Sequence, residues 1–223
     1  CPIPDVSDRC TDIKEWLLHK HYARNIPSVG TDNLFGLFRN KILEGVCCYG
    51  TPANNRNNSL GNFNMIELVR LVVNEGLPRN TLSFFVSKTF DFLKKPIIII
   101  SYADQGRSHH GYIYQATNWI YTGLGGGVDF YKNKEGREIH SRIMSDHRLK
   151  WPEMSREEIA NKLGWEKVKG TYKHRYFYLL GDKKEKKLMM KDLQDKYEIL
   201  PYPKGDNVRY EANYEPTIRK RLF

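Results

Sequence analysis

The densest chemistry in this chain lies in SYADQGRSHHGYIYQATNW, residues 101–119, where Asp104, Arg107, His109, His110 and Tyr114 fall close together. Asp104 closes an apolar run, and the ends of buried strands in open α/β sheets are where ligands are commonly presented. A carboxylate there can orient an attacking amine or take its proton, and a tyrosine on a following helix can protonate a leaving group. The same aspartate before Gln-Gly also suits a side-chain-stabilised turn, and the sequence leaves both roles open. Adjacent histidines on a helix point about 100° apart, so His109 and His110 do not form a two-ligand metal site by themselves. A metal held by His21 with one of them stays open.

A second polar cluster, Arg79, Asn80, Thr81 and Ser83, sits where a turn runs into a helix. The free N–H groups and dipole of a helix start attract phosphate or carboxylate. Capping accounts for Thr81 or Ser83 but not for the whole cluster. Arg70 lies on the strand before this turn among apolar neighbours, and a buried guanidinium needs an anionic or acceptor partner. Arg56, among the asparagines of the polar loop 51–64, suits phosphates or bases, or simply water.

Local pattern supplies the elements that must hold these groups. MIELVRLVV (65–73) reads as a strand with Met65, Glu67, Val69 and Leu71 on one face and Ile66, Leu68, Arg70 and Val72 on the other. SFFVSKTFDFLKK (83–95) carries apolar residues at helical spacing and lysines in its last turn. PIIIISYAD is a β-branched buried strand, HHGYIYQATNW a short helix capped by Ser108, and IYTG a further strand. Upstream, Ile13, Trp16, Leu17 and Leu18 form one stripe of a helix that Pro27 follows, and LFGLFRNKILEGVCCYG reads as a hairpin.

This order resembles the second half of the GNAT acyltransferase fold, with Tyr114 on the family tyrosine and Asn118-Trp119 in place of Gly-Phe. ELVRLVV with LPRNTLSFF, SYADQG with HHG, and IYQATNWIYTG are similar to the phage Mom family of GNAT-like proteins that modify adenine in phage DNA. The similarity spans about residues 16–125, with an echo in KHRYFYLLG. It implies an α/β GNAT-like core over residues 10–125, a mixed sheet flanked by helices, and a basic extension over 126–223. It further implies transfer of a small carbamoylmethyl or acyl-type group to the adenine N6 amine of double-stranded DNA. Asp104 and Tyr114 would then act in catalysis, His21 and Tyr22 on the base, and Arg70, Arg79, Asn80, Thr81 and Ser83 on the small-group donor. One departure is specific: the GNAT loop glycines that let backbone approach a pyrophosphate are here Leu82 and Phe84, which puts ordinary acyl-CoA binding in doubt. A GNAT enzyme acting on a protein or small-molecule amine, and a DNA-binding protein without catalysis, are the other two readings.

Bulk composition agrees with a polyanionic partner. There are 36 Lys and Arg against 26 Asp and Glu, a formal charge of +10. No apolar run reaches the roughly 18 residues a membrane helix needs, and no signal-peptide pattern is seen, so a cytoplasmic protein is expected. Adjacent Cys47 and Cys48 on a strand point to opposite faces and read as reduced, buried thiols. Lysines from 167 to 191, interleaved with aromatics, suggest a strand that displays Lys173 and Arg175 in a row, continued by Lys183 and Lys184, for phosphate contact with Arg56 and Arg107. Residues 123–154 read as a linker or substrate-facing excursion. SREEIANKLGW looks like the opening helix of a helix-turn-helix, but a strand pattern follows it, which argues against that motif.

Overall fold

The computed structural model describes residues 13, 16, 17, 20, 33–52, 59–125, 129–140 and 143–205. His21, Tyr22 and Arg56 lie outside the described residues, as does the side chain of Arg107.

The core is a mixed sheet in the order β1 (Asn33–Arg39), β2 (Ile42–Gly50), β4 (Phe63–Val73), β5 (Ile97–Asp104), β10 (Lys173–Leu180) and β6 (Ile120–Gly125), with the two-residue β3 (Ser59–Leu60) paired to the start of β4. Among the described residues only β4 and β5 run parallel; the other ladders of this sheet are antiparallel. A parallel pair needs a crossover, and the helix α1 (Thr81–Thr89) supplies it. β5 is apolar almost throughout because both faces are covered. Ile99 and Ala103 face a core built with Phe85, Val86, Tyr114, Trp119 and Tyr176, whereas Ile98 and Ile100 face Phe177, Met189 and Leu193 on the other side. α1 and the short helix α2 (Tyr112–Ala116) thus cover one face, and α5 (Lys183–Lys196) the opposite face. The helical residues Ile13, Trp16 and Leu17 pack on Leu43 and Val46. Cys47 and Cys48 are buried free thiols, and burial pushes that of Cys47 up to about 12.

Several expectations change. The main sheet draws on both sides of residue 125, since β10 lies between β5 and β6. α1 ends at Thr89 rather than running to residue 95; Phe84 within it and Phe92 beyond its end are 58% and 74% exposed. Gly111, not Ser108, caps α2; Ser108 closes a single 3₁₀ turn over Gln105–Arg107. The basic strand stops at Leu180, and Lys183 opens a helix with an Asp182–Glu185 capping box.

The face assignment on β4 also fails, for a definite reason. Cys48 pairs with Arg70 but the next residue, Tyr49, pairs with Leu68, so Val69 is an extra residue on β4. A bulge of this kind reverses the alternation beyond it. Ile66 and Leu68 face the α1 side, and so do Leu71 and Val73, which leaves Arg70 in phase with Val72 on the other face.

Residues 129–168, between β6 and β10, form a small unit with a core of its own. A three-stranded sheet of β8 (Glu138–His140), β7 (Phe130–Lys132) and β9 (Glu166–Val168) packs with α3 (Ile143–Lys150) and α4 (Arg156–Leu163) around Tyr131, Met144, Ile159 and Ala160. SREEIANKL therefore does belong to a helix pair, as its second helix, with a complete capping box from Ser155 and Glu158.

Candidate active site at the ends of β4 and β5

The parallel ladder between β4 and β5 has three rungs, the last at Glu67 and Ile100. Both strands run on, to Val73 and Asp104, and the Val69 bulge falls just past that last rung. Side chains take over where the ladder stops. Ser101 Oγ lies 2.9 Å from the Leu68 carbonyl and 2.7 Å from the Tyr114 hydroxyl. Serine has one proton and the carbonyl can only accept; while Ser101 donates to Leu68, its Oγ accepts from the Tyr114 hydroxyl. Tyr114 is 7% exposed and Ser101 1%, so this pair is held in the gap rather than at the surface. Ser101 was not singled out from the sequence. An isolated serine in an apolar run gives no chemical signal until its tyrosine partner is known.

Asp104 stands at the end of β5. Its Oδ1 accepts from the Gly106 N–H at 2.9 Å and from Thr171 Oγ1 at 2.7 Å, so the turn reading holds for that oxygen. Both bonds fall on Oδ1, and Oδ2 takes none from the described residues. Alternation along β5 sends Ser101, with Ile99 and Ala103, toward α2 and gives Asp104 the other phase, so the two polar groups reach the strand end from different faces.

α1 begins at this same end, directly after β4. Asn80 holds its N-cap position in the left-handed conformation, φ 67°, and no side chain caps the helix start. Thr81 Oγ1 donates to the Pro78 carbonyl and Ser83 Oγ to the Asn80 carbonyl, which shapes the turn and leaves the helix start to other acceptors. Arg79 is exposed beside it. Arg70 is half-buried, and its Nη1 donates to the Val69 carbonyl at the bulge, 2.6 Å away.

Histidines close the site's far side. His174, across the ladder from Ala103, is 5% exposed, and its Nδ1 lies 2.9 Å from the Tyr121 hydroxyl. Burial, followed by the nearby His110, lowers the His174 pKa below the ordinary histidine value, so the ring is neutral near pH 7. The rings of His110 and His174 are 5.5 Å apart, and His110 Nδ1 and His174 Nε2 are buried with no hydrogen bond among the described residues. Tyr176 donates to the His110 carbonyl and its ring packs against Gly111, where a side chain would collide. No group of three or more His, Cys, Asp or Glu among the described residues is placed to hold a metal ion.

The model of the Mom protein family matches residues 8–204. The chain belongs to the Mom protein family. Mom membership is consistent with DNA modification and implies a DNA substrate. No curated protein matches the chain. None of the described helices is long and apolar enough to cross a membrane.

The basic residues expected to meet that DNA sort into two kinds. Lys183 and Lys184 are exposed at the start of α5. Arg175 instead serves the sheet: β6 carries an extra residue opposite it, and the guanidinium donates to Thr122 Oγ1 at 2.9 Å and to the Thr122 carbonyl at 3.0 Å while lying 4.2 Å from the Tyr197 ring centre. Lys173, half-buried, pairs across to Asp104 on one side and Gly125 on the other.

Proposed function

We propose that this Mom-family protein transfers a small carbamoylmethyl- or acyl-type group to the N6 amine of adenine in double-stranded DNA, on a GNAT-like fold, and so shields phage DNA from restriction. The observation that carries this reading is the gap past the last β4–β5 rung, where the Tyr114 hydroxyl meets Ser101 beside the Val69 bulge. A reacting group set in that gap lies against a buried hydroxyl pair able to pass a proton to a leaving group. Asp104 Oδ2, kept open while Oδ1 is tied to the turn, is a fixed acceptor for the attacking amine. An exocyclic adenine amine is a weak nucleophile and must leave the base stack, at a cost of a few kcal/mol, before it reaches such a group. His21 and Tyr22 are the proposed contacts to that base.

The donor is a small activated group with an anionic handle. The uncapped start of α1, with Asn80, Thr81, Ser83 and Arg79, is its proposed seat, and Arg70, bonded to the Val69 carbonyl at the bulge, is a further proposed donor contact. Leu82 and the exposed Phe84 occupy the positions at which the ordinary GNAT mode needs glycine, so the turn does not fit a pyrophosphate in that way.

Mass analysis of nucleosides from DNA co-expressed with the chain tests the reading: a modified adenosine is expected. Asp104→Asn keeps the Oδ1 bonds and replaces the Oδ2 acceptor with a donor; Tyr114→Phe removes only the hydroxyl. Each should lower turnover by a factor of the order of 10²–10⁴ in a folded protein. The double variant should fall little below the worse single one, because groups serving one step are not additive. Near-normal modification by Asp104→Asn would return Asp104 to the turn alone, and CoA-dependent acylation of a protein or small amine without DNA would replace the reading.

A further inference from the structure

The unit formed by residues 129–168 has a position that its sequence does not disclose. It leaves the sheet at Gly125 and returns at Lys173, and Lys173 pairs with both Gly125 and Asp104. Both of its roots therefore flank the strand end that carries Asp104. At the far end of α3, Arg148, Leu149 and Lys150 are all exposed, and Leu149 reaches 85%. A single exposed leucine is unremarkable by itself. Its setting is what matters. Lys150 Nζ lies 5.2 Å and Lys162 Nζ 4.6 Å from the centre of the Trp151 ring, which also stacks on His147. The indole face attracts each exposed ammonium and so draws two like charges to one ring. Neither lysine has a carboxylate within ion-pair distance among the described residues. An anion lying between them relieves that repulsion, and Arg148 extends the positive rim past Leu149.

Resting on the DNA-modifying reading above, we infer that the end of α3 is a duplex-DNA wedge: Lys150 and Lys162 clamp backbone phosphate over Trp151, and Leu149 enters the base stack. An apolar side chain flanked by cations is what such an insertion requires, since the side chain replaces stacking while its neighbours hold adjacent phosphates. A wedge on the unit whose roots flank the strand end bearing Asp104 would supply the unstacking that modification of a paired adenine demands.

The full chain is titrated with a duplex carrying 2-aminopurine at several salt concentrations, reading both affinity and the fluorescence rise that reports unstacking. Lys150→Ala and Lys162→Ala should each make the slope of log affinity against log salt shallower by about one. Leu149→Ala should leave that slope unchanged and remove most of the fluorescence rise, while Leu149→Met keeps it. An unchanged slope in both lysine variants, or a full fluorescence rise in Leu149→Ala, overturns the inference, as does a wild-type chain that does not bind the duplex. Both readouts need binding alone. A wild-type chain that unstacks the duplex in this way but leaves adenine unmodified overturns the transferase reading and supports the wedge.

Discussion

His174 is the residue whose environment differs most from what its neighbours in sequence suggest. It sits in a strand between Lys173 and Arg175, yet it is buried against Tyr121 and His110 and is held neutral. Its folded pKa lies below the value of about 6.5 that it regains on unfolding. As pH falls through 6.5 the unfolded chain takes up a proton that the folded chain refuses, so this residue's contribution to stability is present above that pH and is lost progressively below it. His174→Asn should flatten the decline in urea midpoint between pH 7 and pH 5 relative to wild type. An identical decline in the two proteins would show that the ring charges without penalty.

At the scale of elements, three bulges set where the polar groups point. Val69 on β4 turns Arg70, and the extra residue on β6 is stapled by Arg175 to Thr122. The third is Glu44 on β2: Leu37 pairs with Gly45 and Phe38 with Leu43, so Glu44 is skipped. Freed from the ladder, its carboxylate accepts from Asn74 Nδ2 at 2.6 Å and pairs with Arg39 at 2.9 Å, tying the β1–β2 hairpin to the end of β4. Removing one partner of a fully buried ion pair costs about 3–5 kcal/mol, and Arg39 is half-exposed, so Glu44→Ala should lose an amount toward the lower end of that range. Chemical denaturation measures it directly. A loss below about 1 kcal/mol, the level of a surface pair, would show that the bulge does not depend on this carboxylate.

For the whole molecule, the charge excess is placed where it costs stability. Lys183, Lys184, Lys186 and Lys187 crowd the first turns of α5, at the positive end of its dipole, with Glu185 as the acidic residue of that turn. Each such cation is unfavourable by about 0.3–1 kcal/mol, which an anionic partner reverses. Lys183→Ala and Lys184→Ala should therefore raise the melting temperature slightly while making the salt slope of DNA binding shallower by about one each. Arg175→Ala should do the opposite, lowering stability through the lost Thr122 bonds and leaving the slope alone. Reversal of that pattern would move the DNA contact from α5 to β10.

The amino-acid order by itself determined what local periodicity can encode: the apolar run of β5, the α1 crossover after β4, the strand character of residues 173–180, and the polar residues that cluster around Asp104 and Tyr114. It also carried the family, whose model matches residues 8–204. The three bulges stayed hidden because a bulge is a mismatch between two strands and neither strand contains it alone. The place of β10 between β5 and β6 was likewise a matter of long-range pairing, and with it came His174 beside Ala103 and Lys173 beside Asp104. Ser101 acquired a partner only when α2 brought Tyr114 to 2.7 Å from it, thirteen residues on in the chain and across the core from any pattern a single strand can show.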